Sequence, residues 1–323
     1  MASTTDISRG MPLSFPPEKY TVGWLCAIPT ELTAAKAMRD EVHGPLRAQP
    51  KHDENNYQLG RIGEHYVVMA CLPRIGTVDA AVAGKSMQNT FPNLRFGLMV
   101  GIGGGIPSDE NDIRLGDIAV SVPSGQAGGV IQYDMGKEQE DGFLRTGSLT
   151  HPPTLLLTTI QTLRTERTLG REITEVVNGA FAEEDDDEWR FPTNEPDVLF
   201  EDGYISNVSD RQKERTPRPS KNPRCFYGNI GSGNTVIKTS EERRRLAKDG
   251  NLICFEMEAA GLMNFFKCIV IRGICDYADA HKHKKWQPYA ASVAAAYAKK
   301  LLSIISAGAA ENMETIRSEY CYS

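Results

Sequence analysis

No window of this sequence approaches the ~18 consecutive apolar residues that a membrane-spanning helix needs, and the opening MASTTDISRG lacks the apolar core of a secretion signal. A sustained stripe of Lys and Arg is missing too, and the net charge is −6. Phosphate backbones are held by clustered cations, so nucleic acid and membrane surfaces are excluded as main partners and a small molecule is expected instead. The seven cysteines include Cys26, Cys71, Cys254, Cys268 and Cys275, all in apolar segments without metal-ligand spacing. They read as reduced core thiols of a cytoplasmic protein, not as a disulfide frame, with no metal and no cofactor expected. Internal repeats are absent, which excludes a repeat array.

What is present is an alternation. Apolar runs punctuated by Gly or Pro occur at YTVGWLCAI, HYVVMACL, FGLMVGI, DIAVSVP, FYGNIGSG, LICFEM and CIVIRGIC, and read as strands. Helical patterns lie between several of them, at TELTAAKAMRDEV, TVDAAVAGKSMQNTF, PPTLLLTTIQTLRTE, SEERRRLAK and YAASVAAAYAKKLLSII. Strands interleaved with helices give a sheet covered by helices, hence the α/β class. Residues 1–19 are polar and rich in Pro and Ser and are expected to be a flexible lead-in. The folded unit is expected over 20–308 and a tail over 309–323. Residues 183–224 interrupt the alternation with acidic EEDDDE and basic RQKERTPRPSKNPR, the composition of a solvated insertion. Their middle, PDVLFEDGYI, is apolar enough to fold over a site or to meet a partner subunit.

Four segments carry candidate chemistry. GIGGGIP, Gly101 to Pro107, follows a strand but fails the G-x-G-x-x-G spacing of dinucleotide sites and leads into another strand, not a helix. Its glycines, Gly103 and Gly104 among them, serve either a tight turn with positive φ or a close approach of backbone amides to a sugar or anion. Glu31 sits where the first strand turns into the first helix, a favourable place for an acid at a helix start and also the sheet edge where α/β proteins bind ligands. Asp276 follows the strand IVIRGIC, as a helix cap or as a site residue, with Arg272 near it or pointing elsewhere. In ICFEMEAAGL, Glu256 and Glu258 flank Met257 where a buried strand ends. These acids and the glycine run converge by topology on one sheet edge. Breaking a C–N glycosidic bond needs a proton donor for the leaving base, a group that directs the nucleophile and an anchor for the sugar hydroxyls. Asp276, Glu31 and Glu258 can fill those places.

EMEAAG, ICDYAD, GIGGG and SGNTVIK together resemble the nucleoside phosphorylase and nucleosidase superfamily, over about residues 20–305 without the insertion. CFEMEAAGLMN, VIRGICDYADAHK and YAASVAAAYAKKLL are similar to the nucleoside-phosphorylase-like domains of filamentous fungi, some of which precede ankyrin or NACHT regions. The resemblance implies a three-layer α/β/α domain with a central mixed, partly closed sheet, a purine nucleoside as ligand, and a homodimer or larger homo-oligomer. It implies that Glu258 accepts from the ribose 2′ and 3′ hydroxyls, where an ionised carboxylate bonds strongly, and that Met257 packs on the sugar. Glu256 matches a position that is more often structural. Asp276 matches the aspartate facing the purine N7, and Val236 and Ile237 match the segment lining the base.

The resemblance also bears on the nucleophile. Hexameric phosphorylases carry G-x-P-x-R at the first turn, whereas this chain has Ala27, Pro29 and Glu31 in that register. A carboxylate ~4 Å from a phosphate charge costs on the order of 4 kcal/mol at an effective dielectric near 20. The nucleosidases of the superfamily have a glutamate there to activate water, so hydrolysis is expected. Ile102 replaces a serine of the methylthioadenosine enzyme, and Arg74 and Arg114 are the cations that a phosphorylase would recruit. The D-x-D-x-x-x-D-D cluster of metal-dependent nucleoside hydrolases is missing.

Overall fold

A computed structural model describes residues 13–140, 142–201, 212–281 and 284–317. In chain order the elements are β1 (Val22–Cys26), α1 (Pro29–Ala37), β2 (Glu41–Val42), β3 (Tyr57–Ile62), β4 (His65–Cys71), α2 (Thr77–Thr90), β5 (Phe96–Gly105), β6 (Ile118–Ser121) and β7 (Val130–Gln132). There follow β8 (Gly136–Gln139), β9 (Gly142–Arg145), α3 (Thr154–Leu163), α4 (Leu169–Ala180), β10 (Cys225–Ser232), α5 (Ser240–Gly250), β11 (Leu252–Glu256), β12 (Cys268–Asp276), α6 (Gln287–Ile304) and α7 (Ala307–Glu311).

The main sheet runs β11-β10-β6-β12-β5-β1-β4-β3-β2, with β7 on β10. β1 is parallel to both β4 and β5, β12 is parallel to β5 and antiparallel to β6, and β3 is antiparallel to β4. The strands VGWLC and CIVIRGICD are buried at every position, as a sheet covered on both faces requires. β11 turns back to pair antiparallel with the end of β5, Cys254 opposite Gly105 and Phe255 opposite Gly104. That pairing closes the sheet part-way into a barrel, and the architecture is the mixed, partly closed α/β sheet expected.

Glycine makes the closure possible, though not by turning. GIGGG continues β5, and none of Gly101, Gly103, Gly104 and Gly105 lies in the left-handed region, so of the two uses open to this run the tight turn is ruled out. A Cβ at Gly103 would sit 2.6 Å from Cys254 Sγ, and one at Gly105 2.7 Å from Ile274 Cγ2. The missing side chains admit the neighbouring strands.

Helix α6 supplies one covering layer, packed on β12 and β5 with α1, α3 and α4 against it, while α2 packs separately on β1 and the 3₁₀ turn Ala259–Gly261. Alanines dominate its contact face, and at Gly273 a Cβ would approach Ala290 O to 1.8 Å, so helix backbone rests directly on strand backbone. Helix α1 ends at Ala37, short of the expected 42, because Glu41 and Val42 pair instead with Arg61 and Gly60 of β3. Helix α4, which buries Leu169, Ile173 and Val177 at four-residue spacing, was outside the expected pattern.

At the front, Phe15 packs its ring on His43 and Tyr66 at 4.7 and 5.3 Å between centroids, and residues 1–12 lie outside the described part. At the back, Ile316 is buried and its carbonyl accepts from Gln88 at 2.9 Å. Within 183–224, Trp189 stacks on Phe181 at 4.9 Å, and Arg218 reaches both oxygens of buried Asp117 at 2.8 Å. The final residues of PDVLFEDGYI, from 202 onward, lie outside the described residues. Among the described residues no helix is long and apolar enough to cross a membrane.

Candidate active site

Three strands deliver acids to one place. After β1 the chain stays extended through Ile28, and Pro29 starts α1 at the helix position where a missing N–H costs nothing. Glu31, one turn in, folds its carboxylate back so that Oε2 accepts from Ala27 N at 2.6 Å and Ile28 N at 3.2 Å. Its Oε1 accepts from Ile102 N of β5 at 2.9 Å. At Gly101 a Cβ would lie 2.2 Å from that Oε1, so this glycine makes room for the acid.

β11 ends at Glu256, whose carboxylate accepts from Glu258 N at 3.1 Å and Ala259 N at 3.0 Å and thereby caps the turn that follows. Glu258 is left facing inward, 3 % exposed, with Met257 beside it. β12 ends at Asp276, whose Oδ1 accepts from Ala278 N at 2.8 Å; across the sheet, a Cβ at Gly104 would lie 2.9 Å from that oxygen.

Arg272 ties the acids together. Its Nη2 donates to Glu256 and, at 3.2 Å, to Glu258 Oε2, while Nη1 donates to Ile102 O at 3.4 Å and lies 3.8 Å from Glu31 Oε1. One guanidinium cannot neutralise three buried carboxylates. Burial pushes the Glu258 carboxyl up to about 8, with Arg272 opposing and Glu256 and Glu31 adding to the rise. Burial also raises Glu31, against the pull of Arg272 and its three backbone donors. For Arg272 burial works against the charge, yet Glu256, Glu258 and Glu31 outweigh it and hold the guanidinium firmly protonated.

Burial thus favours the protonated Glu258 carboxyl, which can donate as well as accept, where the resemblance implied an ionised acceptor. A stability effect follows. Glu258 binds its proton more tightly folded than unfolded, so its contribution is complete below its ordinary 4.5 and is lost as pH rises through about 8. Thermal midpoints are expected to fall between pH 5 and pH 8, and Glu258→Gln, a permanent mimic of the protonated form, is expected to flatten that fall; an equally steep fall in the variant would refute the assignment.

The geometry encloses a cavity of about 240 Å³ that Glu31, Gly103, Gly104, Val236, Ile237, Glu256, Met257, Glu258 and Asp276 all line. Every site residue expected from the sequence thus borders one space. Comparison with known proteins bears on what it is. No family model matches the chain. A nucleotide-binding leucine-rich repeat (NLR)-like protein of Hyaloscypha variabilis is 70% identical over 310 residues, a match covering 95% of this chain and 31% of that protein, so the chain spans about a third of this relative's length. The 5′-methylthioadenosine/S-adenosylhomocysteine nucleosidase of Mycobacterium bovis is 24% identical over 298 residues, covering 88% of this chain and 96% of the enzyme. A mutant of the Helicobacter pylori enzyme of the same name, solved with 5′-methylthioadenosine in its active site, superposes with a TM-score of 0.58 at 15% identity over 88% of this chain and 99% of that one. The chain has the nucleoside phosphorylase and nucleosidase fold.

In this nucleosidase-type fold the sequence left several lining residues unnamed. Val236 borders the cavity but is exposed, and the aromatic walls come from Tyr133 and Phe255, whose rings meet edge to face at 5.5 Å. The Tyr133 hydroxyl donates to Thr235 O and ties the 235–237 segment to the cavity wall. Tyr133 directly follows the three-residue strand β7, too short to show a pattern in the sequence, and nothing there marked it. Arg74 is exposed and pairs with Asp79, and Arg114 is engaged by Asp112 and Thr216 O; neither lines the cavity. Among the described residues no Lys or Arg does.

Proposed function

We propose that the chain is a purine nucleoside N-ribohydrolase that cleaves the N-glycosidic bond of adenosine, inosine or guanosine with water to give free base and ribose. One observation carries the reading: Glu31, Glu258 and Asp276 line one cavity together with the edge-to-face pair Tyr133 and Phe255, and among the described residues no Lys or Arg lines it. In this reading Glu31 draws a proton from the attacking water, Glu258 holds the ribose diol with Met257 against the sugar, and Asp276 protonates the departing base. Glu256 positions Glu258 through its backbone, and Gly103, Gly104, Val236 and Ile237 shape the base and sugar walls. An inorganic phosphate would meet carboxylates there and no uncommitted cation, which supports water as nucleophile over a phosphorylase.

The names of the Mycobacterium and Helicobacter enzymes add 5′-methylthioadenosine to the compounds worth testing. A second reading, a nucleoside-sensing unit with weak or no turnover, is favoured by the NLR-like relative, in which the matching segment is about a third of a longer chain. We further propose a cytoplasmic homodimer or larger homo-oligomer; Ile75, which lines the cavity, and Val78 and Val82 of α2 are exposed apolar side chains that a second copy would cover, and light scattering reads the mass directly.

Incubation with each nucleoside, with and without phosphate, followed by chromatography of the free base, tests the main reading. Release that needs no phosphate is expected. Release only with phosphate, accompanied by ribose 1-phosphate, would make the protein a phosphorylase, and binding without release would make it a sensor.

A further inference from the structure

Directly after Asp276 the chain is gripped from outside its own neighbourhood. The Tyr277 hydroxyl donates to Asp197 and accepts from Arg215 Nη2 at 2.8 Å, and the same Nη2 bonds Asp197 Oδ2 at 2.7 Å. Leu115 N donates to that hydroxyl at 3.3 Å, and the Tyr277 carbonyl accepts from Arg243 of α5 at 2.6 Å. Tyr277 itself is buried and does not border the cavity. Asp197 and Arg215 both belong to the 183–224 insertion. Two more contacts from the same segment land on the same loop: Phe200 stacks on His281 at 3.9 Å between centroids, and Glu195 pairs with Lys285.

What this grip holds is strained. Ala278 has φ +50°, the left-handed region that a residue with a Cβ disfavours, and it is there that its N–H turns back onto Asp276 Oδ1 at 2.8 Å. Such a conformation persists only where surrounding contacts over-determine it. The contacts here bear on the residue between Ala278 and Asp276, on its side chain and its carbonyl alike.

We propose that the 183–224 insertion is a positioning device for the site: Asp197 and Arg215, by clamping the Tyr277 hydroxyl, hold the 276–278 turn in the conformation in which the Ala278 N–H orients the Asp276 carboxyl at the cavity wall. Asp197, Arg215 and Tyr277 are positioning residues; they touch no substrate. The inference rests on the proposed role of Asp276 for its kinetic consequence, and on geometry alone for the clamp. Misplacing a catalytic group by about 1 Å costs on the order of a hundredfold in rate. The insertion has exchanged solvent for a structural task next to the chemistry.

The test compares the full chain with Asp197→Ala, Asp197→Asn and Tyr277→Phe. In Asp197→Ala and Tyr277→Phe, kcat for base release is expected to fall about tenfold to a hundredfold with KM within about twofold. Asp197→Asn, which keeps an oxygen acceptor for the tyrosine, is expected to recover most of that loss. A purely structural role would lower the thermal midpoint and leave kcat per folded molecule unchanged, and that result overturns the proposal. Should Asp197→Ala fail to fold, Tyr277→Phe removes a single oxygen from an intact ring and carries the same measurement. If the unmutated protein releases no base from any nucleoside, the proposed function fails independently, and a crystal structure of Tyr277→Phe decides the clamp. Ala278 leaving the left-handed region and losing Asp276 upholds it; an unchanged turn overturns it.

Discussion

Glu31→Gln is expected to cut base release by about a thousandfold or more while nucleoside affinity stays within about tenfold, as removal of a positioned general base does. The carboxylate is fixed by backbone donors on both oxygens, Ala27 and Ile28 on one and Ile102 on the other. An amide at that position must turn its NH₂ toward one of those sets, so one N–H meets another donor. Leaving a buried donor unsatisfied costs about 1–3 kcal/mol, and the variant should melt earlier as well as turn over slowly. Normalising rates to folded protein separates the two effects. Because burial raises Glu31, the acidic limb of kcat/KM is expected at higher pH than an ordinary glutamate would give, the base being active only when deprotonated. Retention of more than about a tenth of the rate by Glu31→Gln would remove Glu31 from the chemistry.

The acids were legible in the sequence because strand ends are. An apolar run marks a buried strand, and a carboxylate placed where such a run stops demands a reason, as at Glu31, Glu258 and Asp276. The sheet class followed from the alternation, and its partial closure from the resemblance. Other features were opaque for physical reasons. GIGGG left a tight turn and a close backbone approach both open, because glycine permits either, and nothing local distinguishes them from the use found, in which Gly101 admits Glu31 and Gly103 admits Cys254. Arg272 could not be assigned because alternation along a strand buried on both faces does not say which side holds the acids. Tyr277 and its partners Asp197 and Arg215 are separated by 80 and 62 residues, and the insertion's composition pointed to solvent. Contacts of that range carry no periodic signal. Helix α4 was missed although its spacing is regular, because LGREITEVVNGA mixes its three buried aliphatics with charge and glycines.

Arg272→Met should be the most damaging single substitution for stability. Breaking a buried ion pair from one side costs about 3–5 kcal/mol because the remaining charge is left uncompensated, and here three carboxylates share the lost partner. A loss of about 4 kcal/mol corresponds to roughly six degrees in thermal midpoint for a chain of this size. The loss should depend on pH with a definite sign. Without the cation Glu31 and Glu258 are raised further when folded, so the variant is expected to come nearest the wild type at about pH 4.5, where the unfolded chain also begins to hold those protons, and to fall furthest behind at pH 8. Arg272→Lys should recover only part, since a single ammonium cannot serve Glu256, Glu258 and the Ile102 carbonyl with the fork that the guanidinium provides. Adding Glu256→Gln and Glu258→Gln to Arg272→Met removes two of the three unpaired charges, leaving Glu31 with its backbone donors, and should restore part of the stability. It should not restore turnover, because the sugar anchor is gone. If instead Arg272→Met matched the wild type in stability at pH 8, the three carboxylates would have to be solvated or protonated without it, and the charge balance assigned to the cavity would be wrong.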